Sequence, residues 1–129
     1  MNNRINIPIA ISYLKVVDIL SFTSSANGSC RVEANNWVPI PFVKGSVNFE
    51  IDSKRSVAGK VYTTELSTNI SELREIRSKV LIKLQFEDSD TLIIGVPDIP
   101  VTLDVDFSLT RKRLKFSHKN WHEPLKLVS

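Results

Sequence analysis

Both histidines of the chain, His118 and His122, fall within the seven residues HKNWHEP, together with Trp121. On a helix the spacing H-x-x-x-H sets two imidazoles on one face, from which a zinc site can be built. A catalytic zinc needs three protein ligands, and only Glu123 stands near enough in sequence to add one. Asn120 favours a turn and Pro124 follows closely, so no helix would hold that carboxylate in place. Nor does a glutamate follow His118, as it would in H-E-x-x-H. His118 instead continues the inward phase of Leu114 and Phe116. The expectation is a structural histidine at the interior or rim, with no metal and no catalytic residue.

The remaining reactive side chains are as unpromising. Asp88 and Asp90 occupy a tight turn, where Asp bonds its own backbone. Asp104 and Asp106 lie two apart on a polar strand face, without the cleft that would raise one pKa for acid–base work. Four glycines and no clustered run exclude a phosphate-cradling loop. No G-x-S-x-G elbow is present, and neither histidine has an evident Asp partner. Cys30 is the single cysteine, so an internal disulfide and a multi-thiolate metal site are both excluded; it reads as a small buried hydrophobe. Trp37 and Trp121 each sit beside prolines, where packing or interface anchoring is the plainer role. The chain is not expected to be an enzyme or to need a cofactor.

Elements that would position such residues are mostly strands. Alternation runs through SVNFEIDS, with Val47, Phe49 and Ile51 on one face, and through VLIKLQFE, with Val80, Ile82, Leu84 and Phe86. It returns in VTLDVDFSLT, where Val101, Leu103, Val105, Phe107 and Leu109 turn inward. This pattern marks half-buried antiparallel strands. SCRVEAN and GKVYTTELS are weaker strands, TLIIGV is buried on both faces, and NNWVPIPFVKG is a long loop or irregular edge. Ile5–Phe22 is β-rich, with a short helix at Tyr13–Leu20 as the alternative. A loop Asp88–Asp90 would oppose Phe86 to Leu92 and Leu84 to Ile94. The next hairpin would oppose Phe107 to Leu114 and Asp106 to Lys115. Asn69 and Glu72 have capping-box spacing, and Ile70, Leu73, Ile76 and Val80 recur at helical intervals. The expected fold is one mainly β domain over 1–129, an antiparallel β-sandwich or barrel. It carries one short helix at about residues 70–79 and extended N- and C-terminal arms.

Length and composition agree with that. The 129 residues, 42% hydrophobic and 24% charged, suit a single globular domain with its own core. The opening apolar run is broken by Pro8, Lys15 and Asp18, unlike a signal peptide, and no stretch reaches the ~20 apolar residues of a membrane helix. Folding in a reducing cytoplasm, away from membranes, is expected. Residues 111–129 hold six Lys and Arg against Glu123 alone, while the rest of the chain holds 11 against 13 acidic residues. That asymmetry makes Arg111, Lys112, Arg113 and Lys115 candidates to face DNA, the alternative being a solvated basic edge. The apolar ends, 1–11 and 119–129, lack caps and turn signals. As arms they would add strands to a neighbour's sheet, anchored by Ile7, Ile9, Trp121, Leu125 and Leu127; pairing within their own sheet fits the sequence equally.

The stretch ELREIRSKVLIKLQFEDSDTLIIGVPDIPVTLDVDF resembles small virion structural proteins, head–tail connector and tail proteins, of tailed bacteriophages of the crAss-like type. The shared layout is an early Trp (Trp37), a strand pair, a short helix with Leu73–Arg74 and an apolar strand Val80–Leu84. An acidic turn Asp88–Asp90, the hydrophobic Ile93–Gly95, and Pro97 and Pro100 follow. Such relatives carry Asp-Gly or Asn-Gly in the turn, where this chain has DSD. The resemblance implies a ring-forming subunit of the neck or tail, a homo-oligomer in the virion. Its neighbours would be portal, neck or tail subunits and DNA passing through a channel, with no catalytic residues. The competing class is a non-enzymatic β-sandwich that binds sugar or peptide through Trp37 and Trp121.

Overall fold

The computed structural model describes residues 8–35, 37–43, 45–70, 79–86, 90–107 and 112–128. Alternating segments form two sheets, and with 67% strand against 3% helix among the described residues the fold is mainly β. The larger sheet runs in the order β2 (Ser21–Ser24), β3 (Ser29–Glu33), β11 (Leu125–Leu127), β8 (Thr91–Ile94), β7 (Val80–Phe86), β1 (Pro8–Lys15) and β4 (Val38–Pro39). It curls into a half-barrel. The smaller sheet is β5 (Asn48–Ser56), β6 (Gly59–Asn69), β10 (Lys112–Asn120) and β9 (Asp104–Phe107). Every named pairing is antiparallel except β3 with β11.

The expected helix falls largely outside the described residues. Asn69, its expected cap, ends β6, and Ile70 bridges to Phe42. The alternative helix at Tyr13–Leu20 reduces to a 3-10 turn, Val16–Asp18. The proline-rich segment is an edge, as expected: its two strand residues are the last of the large sheet, and Ile40 N–H donates to Ile11 O at 2.8 Å. Among the described residues no helix is long and apolar enough to cross a membrane.

At its centre the larger sheet is covered on both faces. One face gives Ile11, Ile82, Leu84 and Ile94 to the main core, where the smaller sheet contributes Leu66, Leu114 and Phe116. Phe49 and Val105 pack against this core half-buried, while the side chain of Phe107 and all of Leu109 fall outside the described residues. The other face gathers Cys30, Leu81, Ile93 and Leu125, with Phe22, Val32, Trp37 and Leu127 around them. β8 therefore reads as a continuous apolar run through Leu92–Ile94, while β7 keeps its alternation, with Lys83 half-buried and Gln85 exposed on the second face.

Two expected registers need correction by two residues. Leu84 pairs with Leu92 and Ile82 with Ile94, and Phe86 N–H donates to Asp90 O. In the next hairpin Phe107 pairs with Lys112, Asp106 with Arg113 and Asp104 with Lys115. Both hairpins close tighter than facing alone suggested. A two-residue slip keeps every side chain on its face, so the alternation that forbids a one-residue slip is blind to it. The segment 101–107 is also not one strand. Val101 pairs with Val80 of the large sheet, whereas β9 belongs to the small one, so the chain crosses the core between them. Gly95 lets Val101 pack close at the start of this crossing. At φ 93° it sits where L-residues are strained, and a Cβ would stand 3.0 Å from Val101 Cγ2.

The terminal arms are corrected as well. β11 lies between β3 and β8, with Leu125 buried and Leu127 half-buried. Residues 8–15 form β1, flanked by β7 and β4, and Ile11 is in the main core. Burying these apolar side chains in their own sheet removes the need for a neighbour's. Residues 1–7 fall outside the described residues.

Candidate functional site

HKNWHEP is split by the end of β10. His118 follows Leu114 and Phe116 inward and is only 7% exposed. Its Nε2–H donates to Ile99 O at 2.8 Å, tying the smaller sheet to the 96–99 turn. Nε2 is thereby committed to a carbonyl instead of a metal. Burial holds the imidazole below its ordinary pKa, partly offset by that hydrogen bond and reinforced by His122. His122 is exposed, with Nδ1–H donating to Glu123 O at 2.7 Å. Among the described residues no three His, Cys, Asp or Glu side chains gather as a metal site would require. Cys30 sits in the second core cluster, where burial pushes its thiol up to about 11, far from the range of an activated thiolate.

The tryptophans separate. Trp37 packs on the larger sheet beneath Lys83, whose Nζ lies 4.5 Å from the ring centroid. Burial lowers the Lys83 pKa. Trp121 is 59% exposed and its ring reaches Gly59 at the far end of the smaller sheet, so the two indoles do not form one platform.

The expected basic stripe is interrupted. Lys112 is exposed, but Arg113 is half-buried and donates from Nη2 to Ser67 Oγ at 3.3 Å. Lys115 Nζ lies 4.0 Å from Asp104 Oδ2, a surface pair worth at most about 1 kcal/mol. Both line a groove of about 610 Å³ on the outer face of the smaller sheet, with Asn48, Glu50, Glu65 and Ser67. Glu50 stands directly opposite Glu65. The groove therefore holds three carboxylates, Glu50, Glu65 and Asp104, beside Lys115. Arg111 falls outside the described residues.

What remains is the β5–β6 hairpin. Its inward phase begins apolar, Phe49 opposite Leu66, then turns polar, with Ser53 opposite Tyr62 and Arg55 opposite Lys60. Residues 51–55 and 57–60 are exposed throughout, so this end stands bare on both faces. Val57, in the two-residue connection, is fully solvent-exposed, and the Trp121 ring reaches Gly59, two residues further on. Gly59 takes the positive φ, 128°, that L-residues rarely adopt. β5 is also an edge: among the described residues it pairs only with β6. Of the expected anchors, Ile9 and Trp121 are exposed, Leu125 and Leu127 serve their own sheet, and Ile7 falls outside the described residues. The hairpin was readable in the point where the inward positions of both strands become Ser53, Arg55 and Lys60. Compared with known proteins, the chain matches no family model, no curated protein and no solved structure.

Proposed function

We propose that the chain is a non-enzymatic structural subunit that assembles through the β5–β6 hairpin and the open edge of β5. The setting is the one its sequence resembles, a bacteriophage head–tail connector or tail, with ring neighbours and other virion proteins as partners. One observation carries this reading: a hairpin whose last turn is exposed on both faces, with Val57 fully bare. Ordering such a ribbon costs conformational entropy with little burial in return, and an isolated two-stranded ribbon is marginal in water. A partner that covers it supplies the missing burial, and an open strand edge is a ready template for pairing. The described parts of the terminal arms, in β1 and β11, drop out of this mechanism because they are paired within their own sheet. DNA contact has less support in this reading, since Lys115 stands among carboxylates.

Light scattering across a concentration series tests the proposal. A mass that rises above the monomer, and falls back when residues 53–60 are replaced by a shorter turn, is the expected result. A monomer at every concentration whose Trp fluorescence is quenched by sugars or peptides would favour the binding-module alternative through exposed Trp121.

A further inference from the structure

The edge of β5 carries a pattern that selects its own occupant. The Ser53 N–H bonds the carboxylate beside it, Asp52 Oδ1, at 2.9 Å. Around it the strand reads Phe49, Glu50, Ile51, Asp52, Ser53, Lys54, Arg55. Asp52 and Lys54 share the outer face, opposite Thr63 and Val61 of β6. Both are exposed, and neither makes an ion pair among the described residues.

When two copies of one edge pair antiparallel about a two-fold axis, each register is centred on one residue, and residues equally distant from the centre face each other. Centring on Asp52 or on Lys54 sets a charge against its own copy. Centring on Ile51 sets Glu50 against the partner's Asp52. Centring on Asp52 does bring Glu50 to the partner's Lys54, but at the cost of Asp52 against its own copy. Centring on Ser53 alone brings opposite charges together with no like pair, Asp52 against the partner's Lys54, twice by symmetry. On the inner face the same register places Ile51 against the partner's Arg55, whose stem can cover it. It also places Val57 against the partner's Phe49. The exposed tip then acquires an apolar neighbour, and the Ser53 N–H exchanges its local carboxylate for the partner's Ser53 carbonyl.

We infer that a second copy of this chain docks on the edge of β5, in the register centred on Ser53. The two small sheets then join into one of eight strands, with Asp52 and Lys54 as the residues that choose the register. Charges on an open edge commonly prevent pairing. Here their order is self-complementary, so they exclude the other registers and admit this one. The inference rests on the assembly reading above: a two-fold contact closes on itself, so the edge of β5 joins subunits in pairs, and a ring of such pairs closes through other surfaces.

Charge exchange and cross-linking on the full chain test it. D52K and K54D should each raise the dissociation constant of the pair by about tenfold or more, since each replaces two attractive cross-strand pairs with repulsive ones. The double variant D52K/K54D should return it to near the original value. Independently, S53C should form an intermolecular disulfide under mild oxidation, because its Cα atoms would stand about 5.5 Å apart across the axis; D52C should not. Far-UV circular dichroism confirms that each variant is folded. Single exchanges without effect, S53C that stays monomeric on a non-reducing gel, or D52C that links as readily would overturn the Ser53 register. If the unmodified chain still oligomerises, only this contact is lost and the assembly reading survives. A chain that is monomeric at all concentrations overturns both.

Discussion

Truncating the chain after Asn120 removes β11, a three-residue strand at the end of the sequence but in the interior of the larger sheet. Leu125 and Lys126 pair with Ile93 and Leu92 on one side, and Lys126 and Leu127 with Ser29 and Cys30 on the other. Lys126 N–H donates to Gly28 O and Val128 N–H to Cys30 O, both at 2.9 Å. A Leu→Ala change at a buried site costs about 2–5 kcal/mol, depending on how far the surroundings collapse. Leu125 belongs to the smaller cluster, ringed by half-buried Phe22, Val32, Trp37 and Leu127 that can close in, so Leu125→Ala should cost about 2–3 kcal/mol. Truncation adds the lost ladder bonds, about 1 kcal/mol each, and leaves the edges of β3 and β8 unpaired. The total approaches about 5 kcal/mol, the lower end of the stability of a whole domain. Urea unfolding followed by far-UV circular dichroism reads both variants. With a slope of about 1.5–2 kcal/mol per molar urea for a chain of this size, the Leu125→Ala midpoint should fall by about 1–2 M. The truncated chain should be largely unfolded before urea is added. A truncated chain with the full-length spectrum and midpoint would refute this and restore the C-terminal segment as a free arm.

Leu84→Ala, in the main core where the residue has no exposure and neighbours are fixed from both sheets, should cost about 3–5 kcal/mol; a loss below about 0.5 kcal/mol in urea melts would place the core on the other face. His118 is kept neutral by burial below its ordinary pKa of 6.5. The unfolded chain takes up that proton first, so the associated stability is complete above pH 6.5 and is lost as pH falls through the folded-state value. Urea midpoints from pH 8 to 5 should fall less steeply for His118→Gln than for the parent, and equal slopes would remove His118 from the pH response. With its thiol near pKa 11, native Cys30 should react with a thiol reagent at pH 8 at least about 100-fold slower than a free cysteine. A rate that matches the free thiol while the chain is folded would show that the site is open.

Much of the architecture was legible because the side-chain period of a strand is two. Val80, Ile82, Leu84 and Phe86 announced one buried face, and the continuous run around Ile93 and Ile94 announced a strand buried on both. His118 was legible for the same reason, as the next inward position after Leu114 and Phe116. The hairpin tip left a fainter mark, the change from Phe49 and Ile51 to Ser53 and Arg55 along one face, which only matters once the extent of the opposing sheet is known.

The sequence by itself determined which faces of the main strands turn inward and that the fold is mainly β, because those follow from local alternation. Tertiary structure alone decided the registers, since slips of two residues leave every facing unchanged and only closure of the two hairpins distinguishes them. It also decided that 101–107 is divided between two sheets, because a side-chain pattern does not record which strand lies alongside. The fate of PLKLVS was settled the same way. An apolar segment of three strand residues suits a neighbour's edge or its own equally well, and what chose between them was the gap between β3 and β8, lined by Cys30 and Ile93, that exists only once the larger sheet has curled.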